Sequence, residues 1–117
     1  MGHKYPDMDA MGSAVGIYDI CKSCNKTANI VLDYANESIE AFIKRIKKSE
    51  YYNGVFVDCD YAIKECTKNT LVVVVDTHKA SYLAVPDILE EFDKVVVIDH
   101  HRRGPEFIEN TILTYHE

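Results

Sequence analysis

This sequence predicts an α/β fold on a parallel sheet, and three observations lead there. Short apolar runs alternate with helical patterns from one end of the chain to the other. Two of the runs, "TLVVVVD" (70–76) and "KVVVID" (94–99), are continuous rather than alternating, as in strands covered on both faces. No repeat or linker breaks the order, and 117 residues with 47% hydrophobic content make one small domain, or a piece of one, with a real core.

The elements follow in sequence. A first helix is expected from Ala10 to about Cys24, where Ala10, Met11, Ala14, Tyr18 and Cys21 recur at helical spacing. "ANIVLD" (28–33) reads as the first strand. A second helix spans about Ile39 to Lys47, with a clean stripe of Ile39, Phe42, Ile43 and Ile46 and with Asn36 or Ser38 as its cap. "GVFVD" (54–58) is the second strand and "YAIKECT" (61–67) a short helix, before the strand at 70–76. "VPDILEEF" (85–92) forms another short helix, Pro86 suiting its first position because proline there forfeits no hydrogen bond. The strand at 94–99 comes next, and "TILTYHE" closes the chain as a further strand.

Composition excludes several functions. No apolar run reaches the roughly 18 residues of a membrane span, and no signal-peptide pattern opens the chain. A net charge of −6 argues against a surface that coats duplex nucleic acid, since polyanions bind basic faces. Bound cations would reverse that sign locally, so a phosphate substrate stays open. The cysteines, Cys21, Cys24, Cys59 and Cys66, read as free thiols: "CKSC" has the spacing of half a zinc site and nothing completes it.

Ligands of parallel α/β sheets gather at the carboxyl ends of the strands. Here those ends carry Asp33, Asp58, Asp76 and Asp99. Aspartate is also a favoured turn and cap residue, and that reading takes Asp33 and Asp58, which have no histidine beside them. Asp76 opens "DTH", with His78, and Asp99 opens "DHH", with His100 and His101. The N-terminal "GHKYPDMDAMGSA" adds His3, Asp7 and Asp9 in a loop where Gly2 and Gly12 permit close backbone approach. Imidazoles and carboxylates without thiolate suit Mn²⁺, Fe²⁺ or Co²⁺. So many acids at one sheet edge repel unless cations lie between them, and two metals about 3.5–4 Å apart use the donors better than one.

Taken together, "GHKYPDMDAMG", "DTH" and "DHHRRG" resemble the first three motifs of the DHH phosphoesterase superfamily, which includes RecJ-type exonucleases, nanoRNases, manganese pyrophosphatases and cyclic-di-AMP phosphodiesterases. With "IDHHRRGPEFI" and "TYHE", the wording is most similar to the DHH domain of membrane-anchored cyclic-di-AMP phosphodiesterases. The resemblance implies a three-layer parallel-sheet domain and two Mn²⁺ per site, Co²⁺ or Mg²⁺ being alternatives. It makes His3, Asp7 and Asp76 the ligands of one ion and Asp9, Asp76 and His100 those of the other, Asp76 bridging. It makes Asp99 an orienter of the histidine by a hydrogen bond, and places His101 at the scissile phosphate as acid or electrostatic stabiliser. His78 is expected to orient Asp76 or touch substrate, and Arg102 and Arg103 to meet phosphate oxygens.

The implied reaction is hydrolysis of cyclic-di-AMP to 5′-pApA by a homodimeric parent protein at the cytoplasmic face of a membrane, this segment not touching the bilayer. Other substrates of the superfamily are the nearest alternative: oligoribonucleotides, 3′-phosphoadenosine phosphate or pyrophosphate. A non-catalytic metal-binding module is the alternative of another class. Against the family pattern the sequence reads as cut short at both ends: a first strand, a fourth motif with one more aspartate ligand, and a C-terminal substrate-binding domain are expected outside residues 1–117. An isolated piece of that kind is expected to be a weak hydrolase.

Overall fold

Each apolar run does form a strand, and every strand pairs parallel to its neighbour. The computed structural model describes residues 1–116. In chain order it has α1 (Met8–Ser23), β1 (Ile30–Val31), α2 (Glu37–Lys47), β2 (Phe56–Val57), α3 (Cys59–Glu65), β3 (Val72–Val75), α4 (Ile88–Glu91), β4 (Val95–Asp99) and β5 (Leu113–His116), with 3₁₀ turns at Glu50–Tyr52 and Ala80–Tyr82. Glu117, at the end of the last expected strand, lies outside the described residues.

The strands form two sheets, not the single one the alternation suggests. β1 pairs with β2, while β4 lies between β3 and β5, with Val72 opposite Val95 and Asp99 opposite His116. Between β1 and β3 runs a groove of about 630 Å³, lined by Met1, Ala14, Ile30, Val31, Val73 and Val75 among others. Met1 lies along the β3 edge that faces away from β4. Its amino nitrogen donates to the Val73 carbonyl at 2.7 Å, and its own carbonyl accepts from the Val75 amide at 2.9 Å. Strand periodicity says which residues alternate; it does not say which edges meet, and that is why the split escaped the sequence.

Helices cover both faces of β3, giving three layers. On one face Val72, Val74, Val95 and Val97 pack with Cys59 of α3, Ile88 of α4, and Leu83 and Phe92. On the other, Val75, Ile30 and Val55 pack against Ala14, Val15 and Tyr18 of α1. α2 lays Ile39 and Ile43 on Met11 of α1. Val74 and Val97 are essentially sealed, at 0% and 1% exposure, and each such burial contributes about 1.5–3 kcal/mol.

Capping fixes the helix starts. Asn36 begins α2: its Oδ1 accepts from the Ser38 amide at 3.0 Å, and its Nδ2 donates to the Pro6 carbonyl at 2.7 Å, tying the N-terminal loop to the helix. α3 starts at Cys59 rather than Tyr61 because Asp58 caps it, accepting from the Tyr61 amide at 2.7 Å. Pro86 does not begin α4. It sits in a tighter turn, where Leu89 N–H bonds back to the Pro86 carbonyl, and the α-helix starts at Ile88. Gly2 earns its place, since a Cβ there would lie 3.1 Å from the Ala10 Cβ, whereas a Cβ at Gly12 would meet nothing within 4 Å. Close approach is needed at the first glycine only.

Candidate metal and phosphate site

β3 and β4 end side by side, and the N-terminal loop folds over their tips. His3 bridges antiparallel to Leu83, and the Lys4 amide donates to the Tyr82 carbonyl at 2.8 Å, holding the loop in place. Pro6 is buried, and Asp7 caps α1, its Oδ1 accepting from the amides of Asp9 and Ala10 at 3.0 Å each. These bonds, the Ala10 amide first, keep the Asp7 carboxyl below its usual range.

Asp76 is the floor of the site. It adopts φ of 59°, the left-handed region that a β-carbon disfavours, as β3 stops. Its side chain is 2% exposed, and imidazoles surround it: His3 Nε2 lies 3.4 Å from Oδ2, His100 Nε2 3.1 Å from Oδ1 and His101 Nδ1 3.7 Å from Oδ1. His3 Nε2 is also 3.9 Å from Asp7 Oδ1, and His100 Nε2 is 3.5 Å from Asp9 Oδ2. Thus one oxygen of Asp76 faces the His3 and Asp7 side, and the other faces the His100 and Asp9 side. Burial pushes the Asp76 carboxyl up, His101 and His3 pull it down, Asp9 and Asp7 push it up, and the net shift is upward. Bound cations would favour the charged form of a buried carboxylate crowded by other acids.

The donor set fits such cations. His3, Asp7 and Asp76 offer ligand atoms within 4.8 Å of one another, as do Asp76, His100 and His101. All are oxygen or imidazole nitrogen, the chemistry of manganese-type divalent ions. All four cysteines are free, and among the described residues none joins a potential metal cluster.

Asp99 serves a separate hydrogen-bond network, and its side chain is fully buried. Oδ1 accepts from His101 Nδ1 at 2.8 Å and from the amides of His100 and His101 at 3.0 and 3.3 Å. Oδ2 pairs with His78 Nδ1. Burial pushes this carboxyl up, but the bonds from His101 and His78 outweigh it and the net shift is downward. His101 moves the other way: its bond to Asp99 raises it above ordinary imidazole.

Eight of the ten residues expected at the site meet there: His3, Asp7, Asp9, Asp76, His78, Asp99, His100 and His101. Two take positions other than those expected. Asp99 orients the rings of His101 and His78, and touches His100 only through its amide. His78 is 4% exposed, with Nδ1 on Asp99 and Nε2 accepting from the Gly104 amide at 3.2 Å, so both its ring nitrogens are engaged within the protein and neither is turned to Asp76. Arg102 and Arg103 remain exposed beyond the site, the Arg103 guanidinium lying 4.5 Å from the Phe107 ring centroid. Asp33 and Asp58 do the capping work assigned to them: Asp33 accepts from the Cys59 amide at 2.7 Å, and Asp58 caps the same helix.

One participant was missed. His116 of β5 stands opposite Asp99, its ring edge-on to that of His78 at 5.3 Å, and its buried Nε2 has no hydrogen-bond partner among the described residues. The strand pattern puts His116 on a strand; only the β4–β5 register puts it beside Asp99.

Comparison with known proteins agrees with this geometry. The profile of the DHH family, N-terminal domain, matches residues 1–117. Curated relatives include cyclic-di-AMP phosphodiesterases GdpP of Bacillus subtilis, 41% identical over 119 residues, and PdeA of Listeria monocytogenes, 38% identical over 121. A membrane protein–large ribosomal subunit bL9 fusion protein of Onion yellows phytoplasma is 31% identical over 122 residues. Each alignment takes in 100% of this chain, which spans 18% of the length of the two phosphodiesterases and 14% of the fusion protein.

Proposed function

This chain belongs to the DHH family, and from that premise we propose that the protein carrying it is a two-metal phosphodiesterase hydrolysing cyclic-di-AMP to 5′-pApA. One observation carries the reading: a buried aspartate whose two oxygens face two different histidine–aspartate pairs. His3, Asp7 and Asp76 would hold one ion, and Asp9, Asp76 and His100 the other. Two bound Mn²⁺ would supply a hydroxide at neutral pH and neutralise the phosphodiester. The names of the relatives supply the substrate.

The chain's own residues divide the remaining work. Asp99 holds His101 by Nδ1, which leaves His101 Nε2 as its proton-bearing face. With its affinity for protons raised, His101 donates to the 3′ oxygen as the P–O bond breaks. His78, locked between Asp99 and Gly104, keeps the Asp99 carboxylate from turning. Arg102 and Arg103 are free to meet phosphate oxygens, which a guanidinium matches bidentately. The phytoplasma relatives are called membrane proteins, which favours a membrane-anchored parent, although no helix among the described residues is long and apolar enough to cross a bilayer.

A substrate panel tests the proposal. With Mn²⁺ present, cyclic-di-AMP is expected to give 5′-pApA with a higher kcat/KM than oligoribonucleotides, 3′-phosphoadenosine phosphate or pyrophosphate. Faster turnover of any of these would move the protein elsewhere in its family, and metal binding without hydrolysis of any would make it a non-catalytic module.

A further inference from the structure

Beside the metal cluster, two lysines converge on one aromatic ring. Lys4 Nζ lies 5.1 Å from the Tyr82 ring centroid and Lys79 Nζ 5.4 Å from it. Tyr82 is 49% exposed, so this is a surface feature, yet the backbone beneath the ring is fixed on two sides. The Lys4 amide donates to the Tyr82 carbonyl at 2.8 Å, and the Ser81 amide donates to Glu106 Oε1 at 2.9 Å. Lys4 follows His3, and Lys79 follows His78. A Cβ built on Gly104, in the "DHHRRG" loop, would lie 3.5 Å from Lys79 Cε. Both lysines thus adjoin histidines of the site in sequence, and Lys79 also lies against its Gly104 loop.

Neither lysine makes a close ion pair among the described residues. Among the described residues the one lysine ion pair is Lys44 with Glu40, on α2. Lys4 Nζ donates to the Ser81 carbonyl at 3.5 Å and also lies 5.6 Å from the Tyr5 ring centroid, with no acid beside it among the described residues. Glu106, the acid on which Lys79 acts, is turned to the Ser81 amide. In a chain of net charge −6, acids are plentiful enough to have paired these lysines. Two like charges over one ring repel each other, and an anion between them relieves that repulsion.

We propose that Lys4, Lys79 and Tyr82 form a second phosphate subsite, which takes the phosphate of a dinucleotide that is not being cleaved. The Tyr82 ring supports both ammonium groups by cation–π contact, and the phosphate draws them together. The inference rests on the phosphodiester reading of the adjoining site and extends it. A substrate with two phosphates would touch metals at one and lysines at the other, which selects against ligands carrying only one.

Steady-state kinetics on cyclic-di-AMP with Mn²⁺, in the whole protein carrying this chain, tests it. Lys4→Ala/Lys79→Ala is expected to raise KM at least about tenfold, with a smaller change in kcat. Lys79→Ala alone, which leaves the metal loop untouched, should raise KM severalfold, and Lys79→Arg should restore most of that loss. Tyr82→Phe should behave as wild type and Tyr82→Ser should raise KM, because the ring and not the hydroxyl is used. A KM within twofold of wild type for both Lys79→Ala and Tyr82→Ser would overturn the subsite. If the wild-type protein does not hydrolyse cyclic-di-AMP, the function reading fails by itself. Calorimetry with 5′-pApA then decides the clamp: weaker binding by the double variant sustains it, and equal binding removes it.

Discussion

The tips of β1 and β2 and the tips of β3 and β4 are written alike, an apolar run closed by aspartate, and they are used in opposite ways. Asp33 and Asp58 give their oxygens to backbone amides at the start of α3. Asp76 and Asp99 are 4% and 3% exposed and give theirs to imidazoles. What separates the pairs is position in the sheet and a histidine one or two residues on. β3 is sandwiched between helices and β4 lies between two strands, so a carboxylate at either tip is dehydrated and must find a partner. The tips of the two-stranded sheet are open, and there aspartate does what it does at most helix starts. A strand-end aspartate with a histidine one or two residues on is thus a different object from one without.

Mutation of the two pairs should widen that difference. Asp76→Ala removes an oxygen from each half of the metal cluster, so Mn²⁺-dependent hydrolysis should fall by well over about 100-fold, beyond the usual cost of a lost outer partner. Thermal unfolding beside the assay would show whether the variant is still folded. Asp99→Asn should cost about 10–100-fold in kcat while Mn²⁺ content is kept, since it loosens His101 rather than a ligand.

The same variant should change the pH profile. Asp99 raises the proton affinity of His101, so an activity that needs this proton is present at low and neutral pH and is lost as pH rises through the raised value. Asp99→Asn should move that falling limb to lower pH, and an unmoved limb would take His101 out of the acid role. Stability runs in the same direction: the contribution of this contact is full below the unfolded imidazole value and disappears as pH rises through the folded one.

Smaller effects are expected further out. Replacing both Arg102 and Arg103 by alanine should raise KM by about tenfold without loss of metal, and metal loss from the folded protein would end their assignment to phosphate. Asp58→Ala should cost about 1 kcal/mol of stability, as an N-cap does, and leave turnover per folded molecule unchanged. A comparable loss of activity from Asp58→Ala and Asp76→Ala would erase the distinction between the two pairs of tips.

How much of this could be read in the sequence follows the range of the interactions. Strands, helices and the caps at Asn36 and Asp58 depend on neighbours a few residues away, and periodicity exposes them. The site was legible because its donors sit in three short motifs, two of them at the tips of apolar runs. What depended on pairing between distant segments was not legible: the separation of β1 from β3, the placement of His116 beside Asp99, and the engagement of both His78 ring nitrogens by Asp99 and Gly104. Gly12 misled for a related reason, since a glycine in a helical stretch does not say whether anything approaches it. Lys4 and Lys79 each follow a motif histidine and look like ordinary surface lysines until Tyr82 brings them together.

The central claim is that Asp76 joins two metal ions. Manganese EPR on the protein carrying this chain, with bound Mn²⁺ counted by equilibrium dialysis, tests it most directly. Wild type should bind two Mn²⁺ per chain and show an exchange-coupled spectrum, whereas Asp76→Ala should show at most one isolated ion and Asp58→Ala should match wild type. A coupled pair that survives in Asp76→Ala would contradict the account.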